Sequence, residues 1–345
     1  MIATMEHRRA ATFGLQRRNA CISRILNSLV VKPSNLQPQF YHEPVLLAQT
    51  LALLAPVEGE VFVDGTVGGA GHAERILETG ARVIGLDQDP LALDFTRRRL
   101  ARFGDRFVGV RANFENVAEV LDRLGVGQID GALLDIGVSS AQLDTPSRGF
   151  SFQATGPLDM RMDPDAAVSA ADIVNGAAPE ELVRIFQEYG EEFEARRIVR
   201  QIVVDREMRP LQTTLDLVRS VEKVHPRRGK THPATKIFQA LRIAVNRELE
   251  VLQNALNTFS QRLAPGGRLG VITFHSLEDR IVKSFFKTGS TKWLDRPEWP
   301  APRRNPDFQF RLLTPKPAIA TQEEQNRNPR SRSAKLRIVV KNYVR

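Results

Sequence analysis

Short apolar runs, several of them closing on an acid, set the rhythm of the chain. Glu60–Asp64 reads E-V-F-V-D and Arg82–Asp87 reads R-V-I-G-L-D; Phe107–Arg111 and Gly131–Asp135 continue the series, and Gly270–Phe274 adds a fifth. The runs are continuously apolar rather than alternating, and stretches of helical spacing separate them. Strands buried on both faces carry that signature, so the pattern predicts an α/β fold with a mostly parallel sheet covered by helices.

The stretch between the fourth and fifth runs departs from this alternation. Glu180–Gln187, Glu194–Val204 and Thr213–Val221 have helical periodicity, and no strand pattern occurs between Asp144 and Lys236. A helical insertion, residues 144–235, is therefore expected to interrupt a domain made of residues 41–143 and 236–345. One long helix is expected from Ala234 to Phe259. It carries Ile237, Leu241, Val245, Leu249, Leu252 and Leu256 on a stripe packed against the sheet. Near the C-terminus, Lys335–Val340 alternates in the manner of an edge strand.

The first run leads into Asp64-Gly65-Thr66-Val67-Gly68-Gly69-Ala70-Gly71-His72, a strand, an acid and a glycine loop that opens a helix. Glycines let the chain turn sharply and let ligand atoms approach the backbone. Asp64 can accept hydrogen bonds from loop amides or, through water, from a ligand ammonium. Asp87, closing the next run, is spaced to reach ribose hydroxyls. S-adenosylmethionine and dinucleotides share this layout. Here G-x-G-x-x-G fails, since Gly69-Ala70-Gly71 is followed by His72, Ala73 and Glu74, and an acid directly before the loop suits an ammonium better than a pyrophosphate. Leu263–Leu269 (L-A-P-G-G-R-L) also resembles a turn frequent in class I (Rossmann-like) methyltransferases. The loop is read as a site for S-adenosylmethionine, with an NAD oxidoreductase as the rival. Beyond the later strand ends, Phe114 can cover an adenine face or serve the core. Asp135 ends the fourth run, and Gln142 lies in the loop after it.

Composition narrows the field. Of 345 residues 42% are hydrophobic, yet no apolar run approaches the roughly 20 residues of a membrane span, so no membrane partner is expected. One cysteine, Cys21, excludes a disulfide scaffold, and the six histidines form no H-x3-H pair, so no metal site is expected. A net charge of +9 fits either a polyanionic partner or a solvated basic surface, and Arg227-Arg228-Gly229-Lys230 reads the same two ways. Residues 1–40 carry Arg8, Arg9, Arg17, Arg18, Arg24 and Lys32 against Glu6 alone. They are read as a flexible basic extension of a cytoplasmic protein, or else as a transit peptide leading to an organelle matrix.

The acceptor atom is less directly legible. Asp135-Ile136-Gly137-Val138-Ser139-Ser140 occupies the slot where amino-methylating enzymes often carry D/N-P-P-Y/F, but lacks the prolines and the aromatic. An exocyclic amine is a poor nucleophile until acceptors orient its N–H bonds. Asp135 can do this, or can be a cofactor ligand only. Methylation at C5 of a pyrimidine needs a thiolate, and Cys21 lies in the N-terminal extension, so transfer to N or O remains.

Longer blocks carry a family resemblance. They are Leu133–Ser140 with Gln142-Leu143-Asp144; Arg148–Phe152 through Gly156–Met162; His232–Thr235 through Phe238–Arg242; Phe274–Arg280; and Asn328–Ser333. Together they resemble the RsmH/MraW family, bacterial 16S ribosomal RNA cytosine-N4-methyltransferases that act at the decoding-centre cytidine. The similarity spans about Tyr41 to Val340. It implies cofactor contacts at Ala70, Gly71, His72, Asp87, Phe114, Asp135 and Gln142, and a helical insertion that helps recognise RNA within the small ribosomal subunit. The loop, Gly68-Gly69-Ala70-Gly71-His72, departs from the family's G-R-G-G-H at Gly69 and Ala70. Beside this, His232, Arg242 and Asn246 fall on one side of the long expected helix, facing the cleft as candidate RNA contacts. His275 follows the fifth run where a base can enter, although Ser276-Leu277-Glu278-Asp279 also reads as a helix N-cap box. The alternatives are a non-catalytic RNA-binding assembly factor and a methyltransferase of another substrate.

Overall fold

The apolar runs become the strands of one sheet. In the computed structural model, which describes residues 44–227, 229 and 232–343, β1 (Val61–Asp64), β2 (Arg82–Asp87), β3 (Phe107–Arg111), β4 (Ile129–Asp135) and β5 (Leu263–Thr273) are parallel and ordered β3-β2-β1-β4-β5. The basic extension of residues 1–40, Cys21, Arg228 and Lys230 lie outside the described residues. Five more strands follow: β6 (Trp293–Leu294) and β7 (Arg303–Arg304) form a separate ribbon, while β8 (Phe310–Leu312), β9 (Ala318–Ile319) and β10 (Lys335–Lys341) complete the main sheet. β10 is antiparallel to β5 and is itself flanked by β8 and β9. The edge strand expected at Lys335–Val340 is thus an interior one. Alternation could not reveal this, because its covering strands are only two or three residues long.

Helices cover both faces. On one side α1 (Leu47–Leu54), α2 (Gly71–Glu78) and α3 (Pro90–Leu100) bury Leu54, Ile76, Leu77, Leu93 and Leu100 against Phe62, Val83 and Leu133. Each fully buried aliphatic side chain contributes about 1.5–3 kcal/mol. α4 (Val117–Arg123) belongs to the opposite face. After the single turn of α5 (Ser140–Asp144), the chain builds a second apolar cluster from α6 (Ala170–Gly176), α7 (Pro179–Glu188), α8 (Ala195–Met208) and α9 (Thr214–Val224). Among the described residues this region holds only an isolated bridge, Pro157 to Thr213, in place of strands.

The single helix expected over Ala234–Phe259 is two helices, α10 (Ala234–Asn246) and α11 (Glu248–Arg262), broken at Arg247 with φ 50°. The reason is in the stripe itself. Ile237 and Leu241 bury in the helical cluster, whereas Leu252 and Leu256 bury against the sheet beside Val282 and Phe286 of α12 (Ser276–Ser290). A straight helix cannot face both cores. Arg242 of α10 staples the break, its Nε and Nη2 each 2.8 Å from an oxygen of Glu248 on α11. A last short helix, α13 (Gln322–Arg327), returns to the start of the described chain, where Glu324 Oε1 accepts a hydrogen bond from Leu46 N at 2.7 Å.

Gly131 on β4 marks the tightest packing in the sheet: a Cβ there would lie 2.0 Å from Cε1 of buried Phe62. Gly131→Ala should therefore destabilise the protein by about 2–3 kcal/mol through overpacking, read as a lower urea midpoint.

Candidate active site

Parallel register gathers three carboxylates at one edge of the sheet, because β1, β2 and β4 end in Asp64, Asp87 and Asp135. The β1–α2 turn ties these ends together. Thr66 N donates to Asp64 Oδ1 (3.2 Å), Gly68 N donates to Asp87 Oδ2 (3.0 Å), and Asp135 N donates to Thr66 Oγ1 (2.7 Å). Asp87 Oδ1 also accepts from Asp89 N at 2.9 Å. Glycine is required at Gly65, where a Cβ would meet Leu134 Cδ2 at 2.4 Å.

Burial dominates the electrostatics. It pushes the Asp64 carboxyl up to about 7, with Asp87 adding repulsion, and Asp87 up to about 6, with Asp89 doing the same. Burial, then Asp64 and Glu278, push Asp135 up to about 8 although 23% of its side chain stays accessible through the cleft. Asp135 Oδ2 lies 3.7 Å from His72 Nδ1, and His72 Nε2 lies 3.0 Å from the Val45 carbonyl. Asp135 Oδ1 is buried without a hydrogen-bond partner among the described residues.

A cleft of about 360 Å³ opens over these groups. Gly71, His72, Asp87, Phe114, Asp135, Gln142, Arg242 and Asn246 line it, together with Gly65–Gly69, Pro44 and Asn113. Gln142 is held by a capping box in which its Oε1 accepts from Ser139 N (2.9 Å). Ala70, His232 and His275 do not line the cleft. Ala70 is fully buried at φ 66° and shapes the turn as the N-cap of α2. His232 packs on Phe152, ring centroids 4.8 Å apart, and accepts from Ala234 N at the start of α10. His275 is the N-cap of α12, its Nε2 2.9 Å from Glu278 Oε1. Two cleft residues have side chains already engaged. Arg242 forks onto Glu248, and Asn246 accepts from Met162 N and donates to the Met160 carbonyl, both at 2.8 Å, clamping that loop to α10.

Sequence reasoning missed Glu248, Glu278 and Arg330 as cleft residues. Glu278 is 2% exposed and its Oε2 accepts from Phe274 N (2.8 Å) and His275 N (3.2 Å). Glu248, His275 and Glu278 bring possible metal ligands within 4.8 Å, but Arg242 already supplies the cation to Glu248. Arg330 donates to Asp144 Oδ1 at 2.9 Å and to Ser140, bringing the C-terminal segment to the rim. The signal for Glu278 and Arg330 lay in the Phe274–Arg280 and Asn328–Ser333 blocks.

These features fit S-adenosylmethionine. A floor of three carboxylates, Asp64 buried and Asp87 and Asp135 partly accessible, suits a ligand carrying a sulfonium and an ammonium, and would repel a pyrophosphate. The glycine turn leaves backbone accessible, and the cleft lies within the size range of small-molecule sites. The β3-β2-β1-β4-β5 order, continued by an antiparallel β10 inserted before β8, is that of a class I methyltransferase, and S-adenosylmethionine is its methyl donor. The chain belongs to the MraW methylase family, whose model matches residues 39–342. Similar proteins include the ribosomal RNA small subunit methyltransferases H of Carboxydothermus hydrogenoformans (47% identical over 88% of this chain and 98% of the relative) and Heliobacterium modesticaldum (48%, 88% and 99%). That of Geobacter sulfurreducens is 49% identical over 88% of this chain and 99% of the relative. Among the described residues no helix is long and apolar enough to cross a membrane.

The raised carboxyls fix a pH dependence. A group whose pKa is higher folded than unfolded stabilises the fold below its unfolded value, and that contribution disappears as pH rises through the folded one. For Asp135 the window runs from about 4 to about 8. Asp135→Asn should be modestly more stable than the unchanged protein at pH 5, and the difference should grow by on the order of 4 kcal/mol by pH 8.5, in urea titrations at the two pH values.

Proposed function

We propose that the enzyme transfers a methyl group to N4 of a cytidine in small-subunit ribosomal RNA, near the decoding centre. The relatives' names support the RNA, and the cleft supports the atom. The observation that carries the reading is Asp135, part of whose side chain is accessible from the cleft and whose Oδ1 has no hydrogen-bond partner among the described residues, beside a glycine wall that suits the methyl donor. When bound, the donor supplies a methyl group activated by a sulfonium. Asp87 holds the ribose hydroxyls, the turn at Gly68–Gly71 receives the methionine portion, and Phe114 covers the adenine. An amino group entering past Phe274 and Val138 finds Asp135, which accepts an N–H hydrogen bond and turns the nitrogen lone pair toward the methyl. The proton that the methylated nitrogen must lose has an acceptor in the same carboxylate once the bound sulfonium has drawn Asp135 to its ionised form.

RNA recognition falls to the helical layer of residues 144–235 extended by α10, where Arg196, Arg200 and Arg219 are exposed. The compartment follows the RNA: the cytoplasm, or an organelle matrix if residues 1–40 are a transit peptide.

Small ribosomal subunits incubated with the enzyme and methyl-labelled S-adenosylmethionine should yield label in N4-methylcytidine after nuclease digestion. Label in another nucleoside, or label that survives ribonuclease, contradicts the assignment. Asp135→Ala should lower kcat by about 100-fold or more while leaving the protein folded.

A further inference from the structure

Both tryptophans of the chain lie in the β6–β7 ribbon, away from the cleft. Trp293 pairs with Arg304 across the ribbon and is 55% exposed. Lys292 Nζ stands 6.0 Å from its ring centroid. At the tip, the guanidiniums of Arg296 and Arg303 each stand over the Trp299 ring, 4.9 Å from its centroid. Between Lys292 and Arg304 the ribbon holds four cations against two carboxylates, Asp295 and Glu298. Pro297, Pro300 and Pro302 stiffen its turn. Its root is rigid as well. Asn305 is 2% exposed, its Nδ2 donates to the Thr288 and Thr291 carbonyls at 2.7 Å each, and its N donates to the Lys292 carbonyl at 3.0 Å.

A large exposed indole on a rigid mount has no folding rationale, because its ring gains little by burial there. An aromatic face flanked by cations is instead the chemistry that receives an unpaired base with its phosphates. The ribbon's position sets what it can reach. α12 starts at the cleft end of β5 and runs 15 residues to the ribbon's root, about 22 Å at 1.5 Å per residue. A substrate no larger than the target nucleotide and its neighbours does not extend that far.

We propose that this ribbon is a second RNA-binding site, in which Trp293 stacks on an unpaired base while Lys292 and Arg304 contact its phosphates, anchoring a part of the ribosomal RNA remote from the methylated nucleotide. This rests on the RNA reading above. Stiffness favours the interaction by limiting the entropy lost on binding.

The full chain and its Trp293→Ala, Trp293→Phe and Lys292→Ala/Arg304→Ala variants are compared for binding to protein-free small-subunit ribosomal RNA across a salt series. Trp293→Ala should weaken binding about tenfold, and Trp293→Phe should restore most of it. The double variant should flatten the slope of log Kd against log salt by about 1–2. Methylation of a short RNA that the unchanged enzyme accepts, and affinity for S-adenosylmethionine, should be the same in all four proteins. Unaltered affinity for the long RNA in variants of an enzyme that methylates RNA overturns the ribbon proposal alone. So does a defect seen only with assembled subunits, which would make the partner a ribosomal protein. If the unchanged chain neither binds nor methylates ribosomal RNA, the functional reading falls and the ribbon proposal with it.

Discussion

Three carboxylates crowded at the ends of parallel strands are the constraint on which the site depends. β1, β2 and β4 deliver Asp64, Asp87 and Asp135 to one edge, and burial resists their ionisation. Left alone, such a cluster is costly once charged. In the proposed function a cationic ligand eases this conflict, and the arrangement then favours such a ligand over an anionic one. The glycine turn then has two duties. It leaves space against the backbone, and its amides at Thr66 and Gly68 hold two of the three acids in place.

The second half of the cleft comes from elements far apart in the chain. The break at Arg247 lets α10 enter the helical cluster while α11 packs on the sheet, and the Arg242–Glu248 pair fixes the angle between them. Asn246 sits on the same seam and ties the Met160–Met162 loop to it. These two cleft-lining residues therefore also join the two apolar clusters. Substitutions at Arg242 or Asn246 will disturb the packing of the two clusters, which makes Asp135 the cleaner probe of chemistry.

Much of this was legible in the amino-acid sequence, for physical reasons. Strands buried on both faces are continuously apolar, and the acids that close three of the five runs stand out against them, so the sheet core and Asp64, Asp87 and Asp135 were readable. The break at Arg247 was not, because it uses neither glycine nor proline and its cause is the location of two cores. The interior position of β10 depended on short partners without periodicity. Hydrogen bonds between distant segments gave Arg242 and Asn246 partners that no local pattern announces. Ala70 was flagged as a departure from the family loop, and its φ of 66° explains why glycine is preferred there.

The central claim, that the site is an acidic floor awaiting a cation, is tested most directly by calorimetry of S-adenosylmethionine binding at pH 6.5 in buffers of differing ionisation enthalpy. The ligand's amino group is already charged at that pH, so proton exchange reports the protein. Binding should release about one proton or more as Asp64 and Asp135 are drawn to their ionised forms, with the release diminished in Asp135→Asn. Binding with no proton release, or with uptake, would contradict the account.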